Sequence, residues 1–199
     1  MTPQLIARGL PDPDADVLEL IERRELDGAL CVLMKRHGTA IYRFCREALH
    51  DDMLADDVHQ QIFIEVSRDL VQFGRRSTLR SWLFGIARHR VLDFAKQRKR
   101  ARARDDAAAA AYDDTGPPPS VLLDDARLHA ALIECLRELD DDVLTALLLR
   151  YQQGFTFEEM AGVCGEKPST LHARVSRALP ALRARIERRI ARSLRRAAR

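Results

Sequence analysis

The chain has 199 residues and a net charge of +3, enough for one large domain or two small ones that each bury a core. No apolar stretch approaches the roughly 20 residues that a membrane-spanning helix needs, and the N-terminus lacks the apolar segment of a secretory signal. We therefore expect a cytoplasmic protein without membrane insertion.

Charge is distributed unevenly along the chain. Residues 88–104 hold eight basic residues and one acid, residues 105–142 hold eleven acids and two bases, and residues 174–199 hold ten arginines and one glutamate. Two basic blocks indicate two surfaces that can meet a polyanion such as nucleic acid. A solvated helix face is the simpler alternative for each block.

Three helices are predicted before the first basic block. Apolar residues recur with helical spacing from Val17 to Leu33, from Ala40 to Leu49 and from Met53 to Val71. On the third helix, four polar side chains can share one acidic, amide-rich face: Asp56, Asp57, Gln60 and Glu65. A solvated surface is again the alternative.

A fourth helix is predicted to begin at Ser77 or Thr78, whose hydroxyl can cap it. Its apolar stripe consists of Leu79, Trp82, Leu83, Ile86, Ala87 and Phe94. Arg90 falls on that stripe and Leu92 falls opposite it, so the second half must be rotated, wrapped on two sides or only partly buried. A helix anchored by aromatic residues and followed by a dense basic run favours nucleic-acid binding.

The segment 101–125 reads as a linker. Its alanine run, its acidic pair and Gly116–Pro119 cannot together form a packed element, and successive prolines favour extended geometry. The alanines can instead extend the preceding helix. We therefore predict an all-α fold of two small helical domains, residues 1–100 and 126–199, joined by a flexible linker, residues 101–125.

The second domain is predicted to contain a helix-turn-helix. Asp140–Asp142 can cap its second helix. Thr156 and Glu159 have capping-box spacing, Gly165 can end a short helix, and Pro168 suits the first turn of the next. Opposite the apolar stripe of that last helix lie small side chains and arginine, which suits an approach to the major groove. The alternative is an ordinary helical hairpin.

Two other features constrain the prediction. Pro180 should kink the last helix or mark the start of a new basic helix, because proline removes a backbone donor. The four cysteines, Cys31, Cys45, Cys135 and Cys164, lie in apolar helical patterns without metal-site spacing, so core packing is expected.

The chain has no phosphate-binding loop, no H-E-x-x-H and no G-x-S-x-G motif. We therefore expect no enzymatic activity and no cofactor.

Two blocks resemble the sigma-70 family, specifically its small extracytoplasmic-function (ECF) sigma factors. Ala55–Phe63, ADDVHQQIF, and the segment from Ser77 to Arg100, STLRSWLFGIARHRVLDFAKQRKR, resemble the second conserved region of the family. LLRY, GFTFEEMA and PSTLHARVSRAL, within residues 132–186, are similar to the fourth region. The linker stands in place of the middle region of larger sigma factors.

The resemblance implies partners and residue roles. Core RNA polymerase would be bound by Asp56, Asp57, Gln60, Gln61 and Glu65. The −10 promoter element, with a flipped base held near Phe73–Thr78, would be bound by Arg75, Arg76, Arg80, Arg88, His89, Lys96 and Arg98. The −35 element would be read by Ser169, Thr170, His172, Arg174, Ser176 and Arg177. An anti-sigma factor is a further expected partner.

The sequence departs from the family pattern at a few positions. His89 stands where asparagine is common, and Val66–Ser67 replaces a common Ala-Trp pair. The competing hypothesis is a helix-turn-helix repressor or activator that binds duplex DNA without polymerase. Such a regulator would need neither the Ala55–Phe63 match nor the block that follows Ser77.

Overall fold

The computed structural model describes residues 12–105 and 123–197, with side-chain surroundings for residues 12–101 and 128–192. Within these ranges the chain forms helices and turns and contains no strand, which confirms the all-α prediction. No helix in the described part of the chain is both long enough and apolar enough to cross a membrane.

In its described residues, the N-terminal unit contains a short 3-10 helix at Leu70–Gln72 and four α-helices. The α-helices are α1 (Ala15–Glu22), α2 (Leu26–Leu49), α3 (Asp52–Asp69) and α4 (Leu79–Asp105). The predicted stretch from Val17 to Leu33 is broken between α1 and α2, whereas α2 joins the end of that stretch to the predicted stretch from Ala40 to Leu49 without a break. Between α2 and α3, His50 takes a left-handed conformation with φ of 53°, and the Asp51 carboxylate accepts a hydrogen bond from the Leu54 amide, 3.0 Å away. This cap turns the chain sharply, so α3 folds back onto α2.

Helix α4 is buried on two sides, as one of the three predicted alternatives states. The Phe84 ring lies between Phe44 of α2 and Phe155 of the C-terminal unit, at centroid distances of 5.7 and 5.1 Å. All three rings are fully buried. Val91 and Leu92 are buried as well, so the apolar surface of α4 encircles more of the helix than a single stripe.

The C-terminal unit contains the other four helices. They are α5 (Leu123–Arg137), α6 (Asp141–Leu147), α7 (Phe157–Cys164) and α8 (Pro168–Ala197), with a π-helical turn at Leu148–Gln152 after α6. Asp140 occupies the cap position of α6, but its side chain makes no capping hydrogen bond, so this predicted cap is wrong. Helix α8 continues through Pro180, and the predicted start of a new helix there is also wrong.

Two further predictions concern the linker and the cysteines. Helix α4 includes residues 101–105 and α5 begins at residue 123, while residues 106–122 lie outside the described part of the chain. Cys45 and Cys135 are buried, as predicted, and Cys164 is half-buried. Cys31 is exposed instead, because it lies on the outward side of α2, opposite the buried Leu33.

Candidate polymerase and nucleic-acid interfaces

Helix α3 carries the side chains predicted to bind polymerase. Its apolar face, which includes the fully buried Val58 and Ile62, packs into the core. Four of the five predicted residues are exposed on the outward side: Asp56, Asp57, Gln60 and Gln61. Glu65 differs, because only 24% of its side chain is exposed and it accepts a hydrogen bond from Arg90 Nε. The four exposed residues form an acidic, amide-rich surface, here called the acidic face, whereas Glu65 ties α3 to α4.

A shallow apolar groove adjoins the acidic face, and the sequence analysis missed it. Leu30 and Met34 of α2 and Phe63 and Ile64 of α3 line the groove, and Gln60 lies at its edge. Met34 and Ile64 are 43% and 44% exposed. Because Gln60 belongs to both surfaces, the groove and the acidic face form one continuous surface.

The loop before α4 leads into an open hollow. Thr78 caps α4 as predicted, because its hydroxyl oxygen accepts a hydrogen bond from the Ser81 amide at 3.1 Å. The Phe73 ring packs on Trp82, with centroids 5.2 Å apart. The hollow has a volume of about 300 Å³ and is lined by Glu65, Ser77, Ser81, Trp82, Gly85, Ile86, His89 and Gly162. It therefore joins the predicted base-holding loop to His89.

Most of the basic side chains predicted for the −10 element are accessible. Four of them are exposed: Arg75, Arg76, His89 and Lys96. Arg75 has φ of 52° and forms an exposed ion pair with Glu22 at 2.6 Å. Arg98 differs, because its Nη1 atom donates to the Leu49 carbonyl, 2.9 Å away at the end of α2. That carbonyl has no partner inside its own helix, so Arg98 stabilises the N-terminal unit.

Arg80 and Arg88 are instead bound by the C-terminal unit. The Arg80 guanidinium lies 4.0 Å from the Phe155 ring centroid and donates to the Gln153 carbonyl. Burial there lowers the pKa of Arg80. Arg88 is only 12% exposed, and its Nη2 atom lies 2.5 Å from Asp142 and 4.0 Å from Glu166. In this arrangement neither guanidinium is available to a nucleic acid.

Helices α7 and α8 form the predicted helix-turn-helix, and the local signals that predict it are confirmed. Thr156 and Glu159 form a reciprocal capping box at the start of α7. Gly165 ends that helix with φ of 69°, a conformation that glycine adopts without strain. Pro168 is the first residue of α8, where its missing N–H costs nothing.

The outward side of α8 carries most of the residues predicted to read the −35 element. Five of the six are exposed: Ser169, Thr170, His172, Ser176 and Arg177. The His172 ring packs edge-on against Phe157, with centroids 5.1 Å apart. Arg174 is only 22% exposed and forms a two-bond ion pair with Glu166, one bond of which measures 2.8 Å. This pair lowers the pKa of Glu166 and holds Arg174 against the turn between α7 and α8.

Sequence comparisons identify both units. The family described as Sigma-70 region 2 matches residues 33–101, and the family described as Sigma-70, region 4 matches residues 129–182. The ECF RNA polymerase sigma factor SigC of Mycobacterium tuberculosis is 34% identical over 166 residues, which cover 80% of this chain and 84% of that protein. The chain belongs to the sigma-70 family. It is an ECF sigma factor, which binds core RNA polymerase and directs promoter recognition, −10 melting and transcription initiation.

Other relatives of this sigma factor agree with that assignment. The ECF RNA polymerase sigma factor SigX of Bacillus subtilis is 27% identical over 151 residues, covering 74% of this chain and 78% of that protein. Two solved structures share the fold. The sigma factor RpoE in complex with the anti-sigma factor NepR from Bartonella quintana has a TM-score of 0.61 at 23% identity, covering 79% of this chain and 94% of that one. CnrH in complex with the cytosolic domain of CnrY has a TM-score of 0.63 at 22% identity, covering 89% and 98%.

The two units of this sigma factor pack together, a contact that was not expected from the sequence. The contact joins α4 of the region 2 unit to α6 and α7 of the region 4 unit, and α2 to α6 and the π-helical turn. Phe84 and Phe155 form its apolar part, and two ion pairs flank it, Arg88–Asp142 and Lys99–Asp141. The sequence signal for this contact is the phenylalanine off the main stripe of α4. Because Phe84 lies off that stripe, a helix buried on one side only would leave its ring exposed.

Proposed function

We propose that this sigma factor binds core RNA polymerase through the acidic face, captures the opened −10 element with residues 73–78 and the first half of α4, and reads the −35 element with the outward side of α8. The observation that supports the assignment is the solvent exposure of these surfaces. The acidic face and the outward side of α8 are both accessible, whereas Arg88 and Lys99 of region 2 pair with Asp142 and Asp141 of region 4. Exposed charged surfaces of this kind steer association with a partner of opposite charge and set its specificity.

Capture of the −10 element requires the two units to separate. Arg80 and Arg88 are bound by Gln153, Asp142 and Phe155 in the closed arrangement, and a guanidinium so engaged cannot also bind phosphate. His89 and Trp82 line the hollow beside the loop, and imidazole and indole rings can bind unstacked bases. We propose that docking on polymerase moves region 4 away from α4 and exposes the two arginines.

An anti-sigma factor is a further proposed partner. The two similar structures are complexes of sigma factors with the anti-sigma factor NepR and with the cytosolic domain of CnrY. In this chain, the apolar groove beside the acidic face offers an accessible surface for an apolar helix. We place the protein in the cytoplasm, where its partner RNA polymerase acts.

The test of the proposed function is transcription in vitro with core polymerase and a promoter library. Asp56→Arg with Asp57→Arg should weaken polymerase binding and promoter-dependent transcription together, because both substitutions reverse the charge of the acidic face. Asp27→Arg with Asp69→Arg makes the same charge change at exposed positions elsewhere on the N-terminal unit and serves as the matched control. Equal polymerase affinity of the two double variants, with both still helical, would contradict the assignment. Promoter-specific binding without polymerase would favour the helix-turn-helix regulator.

A further inference from the structure

Helix α8 is longer than the part of it that belongs to region 4. The family match ends at residue 182, whereas the helix continues to Ala197 and contains 30 residues in all. At about 1.5 Å of rise per residue, such a helix is about 45 Å long. The half beyond the family match therefore extends well past the residues proposed to read the −35 element.

The arginines of this second half face two different ways. Arg185 and Arg189 pair with Glu134 and Glu138 of α5 and thereby attach α8 to its own unit. Arg183 is highly exposed but pairs with Glu187 on the same helix, at 2.9 Å. These three guanidinium groups are thus matched by carboxylates.

Three other arginines face solvent: Arg177, Arg188 and Arg192. No carboxylate among the described side chains lies within ion-pair distance of them. In Arg177 and Arg188 the Nε atom donates to the carbonyl four residues earlier, at 3.1 and 3.0 Å. Each of these two guanidinium groups therefore keeps its terminal amino groups for an external acceptor.

The three unpaired arginines share one side of α8. At about 100° per residue, Arg188 is rotated by about 20° from Arg177 and Arg192 by about 60°. The exposed Ala181 and Ala184 lie between them on the same side, and their small side chains allow a flat surface to approach. We call the row Arg177, Arg188 and Arg192 the basic stripe. It continues the reading side of the helix beyond the region 4 match.

The spacing of the basic stripe matches the major groove of DNA and the phosphate backbone at its edge. Arg188 lies about 16 Å along the axis from Arg177, which exceeds the width of the major groove, about 12 Å. A helix that places Arg177 in the groove therefore carries Arg188 and Arg192 to the phosphates at the groove edge and beyond. We propose that Arg188 and Arg192 bind the phosphate backbone of duplex DNA flanking the −35 element, without sequence preference. This inference rests on the proposed function of α8.

The test compares full-length variants, each assembled with core polymerase, on promoter duplexes at several salt concentrations. Two phosphate contacts should contribute about 1.8 to the slope of log K against log salt. Arg188→Ala with Arg192→Ala should reduce the slope by about that amount and weaken binding several-fold at low salt, with unchanged −35 preference. Lysine at both positions should restore most of the affinity. Arg188→Ala is also measured singly, and Arg183→Ala, which removes one charge from the same half of the helix, is the matched control for that single variant.

The length of the duplex provides the second readout. The double alanine variant should lose affinity on probes that extend about ten base pairs past the −35 element on either side, and should match the wild type on probes cut at the element. The inference would be overturned if the double alanine variant lost affinity equally on both probes, or if its affinity matched that of Arg183→Ala. A loss of polymerase affinity without DNA would assign the stripe to polymerase and overturn it as well. If Arg177→Ala leaves −35 selectivity unchanged, the proposed role of α8 fails. If Arg177→Ala loses that selectivity while the double variant behaves like the wild type, only the present inference fails.

Discussion

The Nη2 atom of Arg88 lies 2.5 Å from Oδ1 of Asp142 and joins region 2 to region 4. About three turns further along α4, Lys99 Nζ lies 2.7 Å from Asp141. Two neighbouring acids at the start of α6 thus neutralise two basic residues of the segment expected to meet promoter DNA. The acidic block between the two basic blocks of the sequence therefore has a partner inside the molecule.

The first prediction concerns these two ion pairs. Asp141→Asn with Asp142→Asn should raise the affinity of the free protein for a single-stranded −10 oligonucleotide, because Arg88 and Lys99 lose their competing carboxylates. The pairs are partly exposed, so each contributes at most about 1 kcal/mol, and the gain from releasing both should be about 30-fold or less. The gain in affinity should become smaller as the salt concentration rises. Fluorescence anisotropy measures this affinity. The control is Asp140→Asn, at an exposed neighbouring position without an ion-pair partner among the described side chains.

The second prediction concerns the apolar part of the same contact. Phe155 is fully buried between the Phe84 ring and the Arg80 guanidinium. Phe155→Ala should lower the free energy of unfolding by about 3–5 kcal/mol, because it removes a buried aromatic side chain and leaves a cavity. Phe157→Ala, two residues along, removes a ring that is only half-buried and should cost less. Urea unfolding of both variants measures the difference, and equal costs would contradict the contact as described.

The third prediction concerns a buried carboxylate at the N-cap position of α1, whose side chain bonds to α2 and makes no capping hydrogen bond. Asp14 is 1% exposed and accepts hydrogen bonds from His37 and Arg36, at 3.0 and 2.9 Å. Burial raises the pKa of Asp14, but these two partners lower it further than burial raises it, so it lies below its ordinary value of 3.8. The folded state thus favours the ionised form, and its contribution to stability is present above pH 3.8 and is lost as the pH falls below it.

Asp14→Asn removes that titration. The variant should be less stable than the wild type by about 1–3 kcal/mol at pH 7, because a charged acceptor is lost from a buried site. The difference should narrow as the pH falls from 4 towards 3. Urea unfolding at a series of pH values measures the effect. Asp27→Asn, which replaces an exposed acid at the start of α2, is measured beside it as the control.

Helices α4 and α8 illustrate how much of this protein its sequence predicts. Local features can be predicted from residue type: the Thr78 cap, the capping box of α7 and the left-handed Gly165 all occur at the predicted positions. Pairings between distant residues cannot be read this way. The sequence assigns Arg88 and Arg174 to DNA because they are basic and lie on suitable helices. Their ion pairs with acids 54 and 8 residues away depend on how the two units pack and how the turn folds.

The last prediction separates two residues that the sequence places in the same −10 site. The His89 side chain is 69% exposed and lines the hollow beside Trp82, whereas Arg98 bonds the carbonyl end of α2. His89→Ala should alter the preference among −10 sequences while leaving the melting temperature unchanged, because base contacts specify and this side chain packs little. Arg98→Ala should lower the melting temperature and leave the preference unchanged, because it leaves a helix-end carbonyl without this donor. Transcription from a set of −10 substitutions, measured beside thermal unfolding, distinguishes the two. An unaltered preference in His89→Ala would make His89 an ordinary surface residue, and an unaltered melting temperature in Arg98→Ala would return Arg98 to the DNA-binding set.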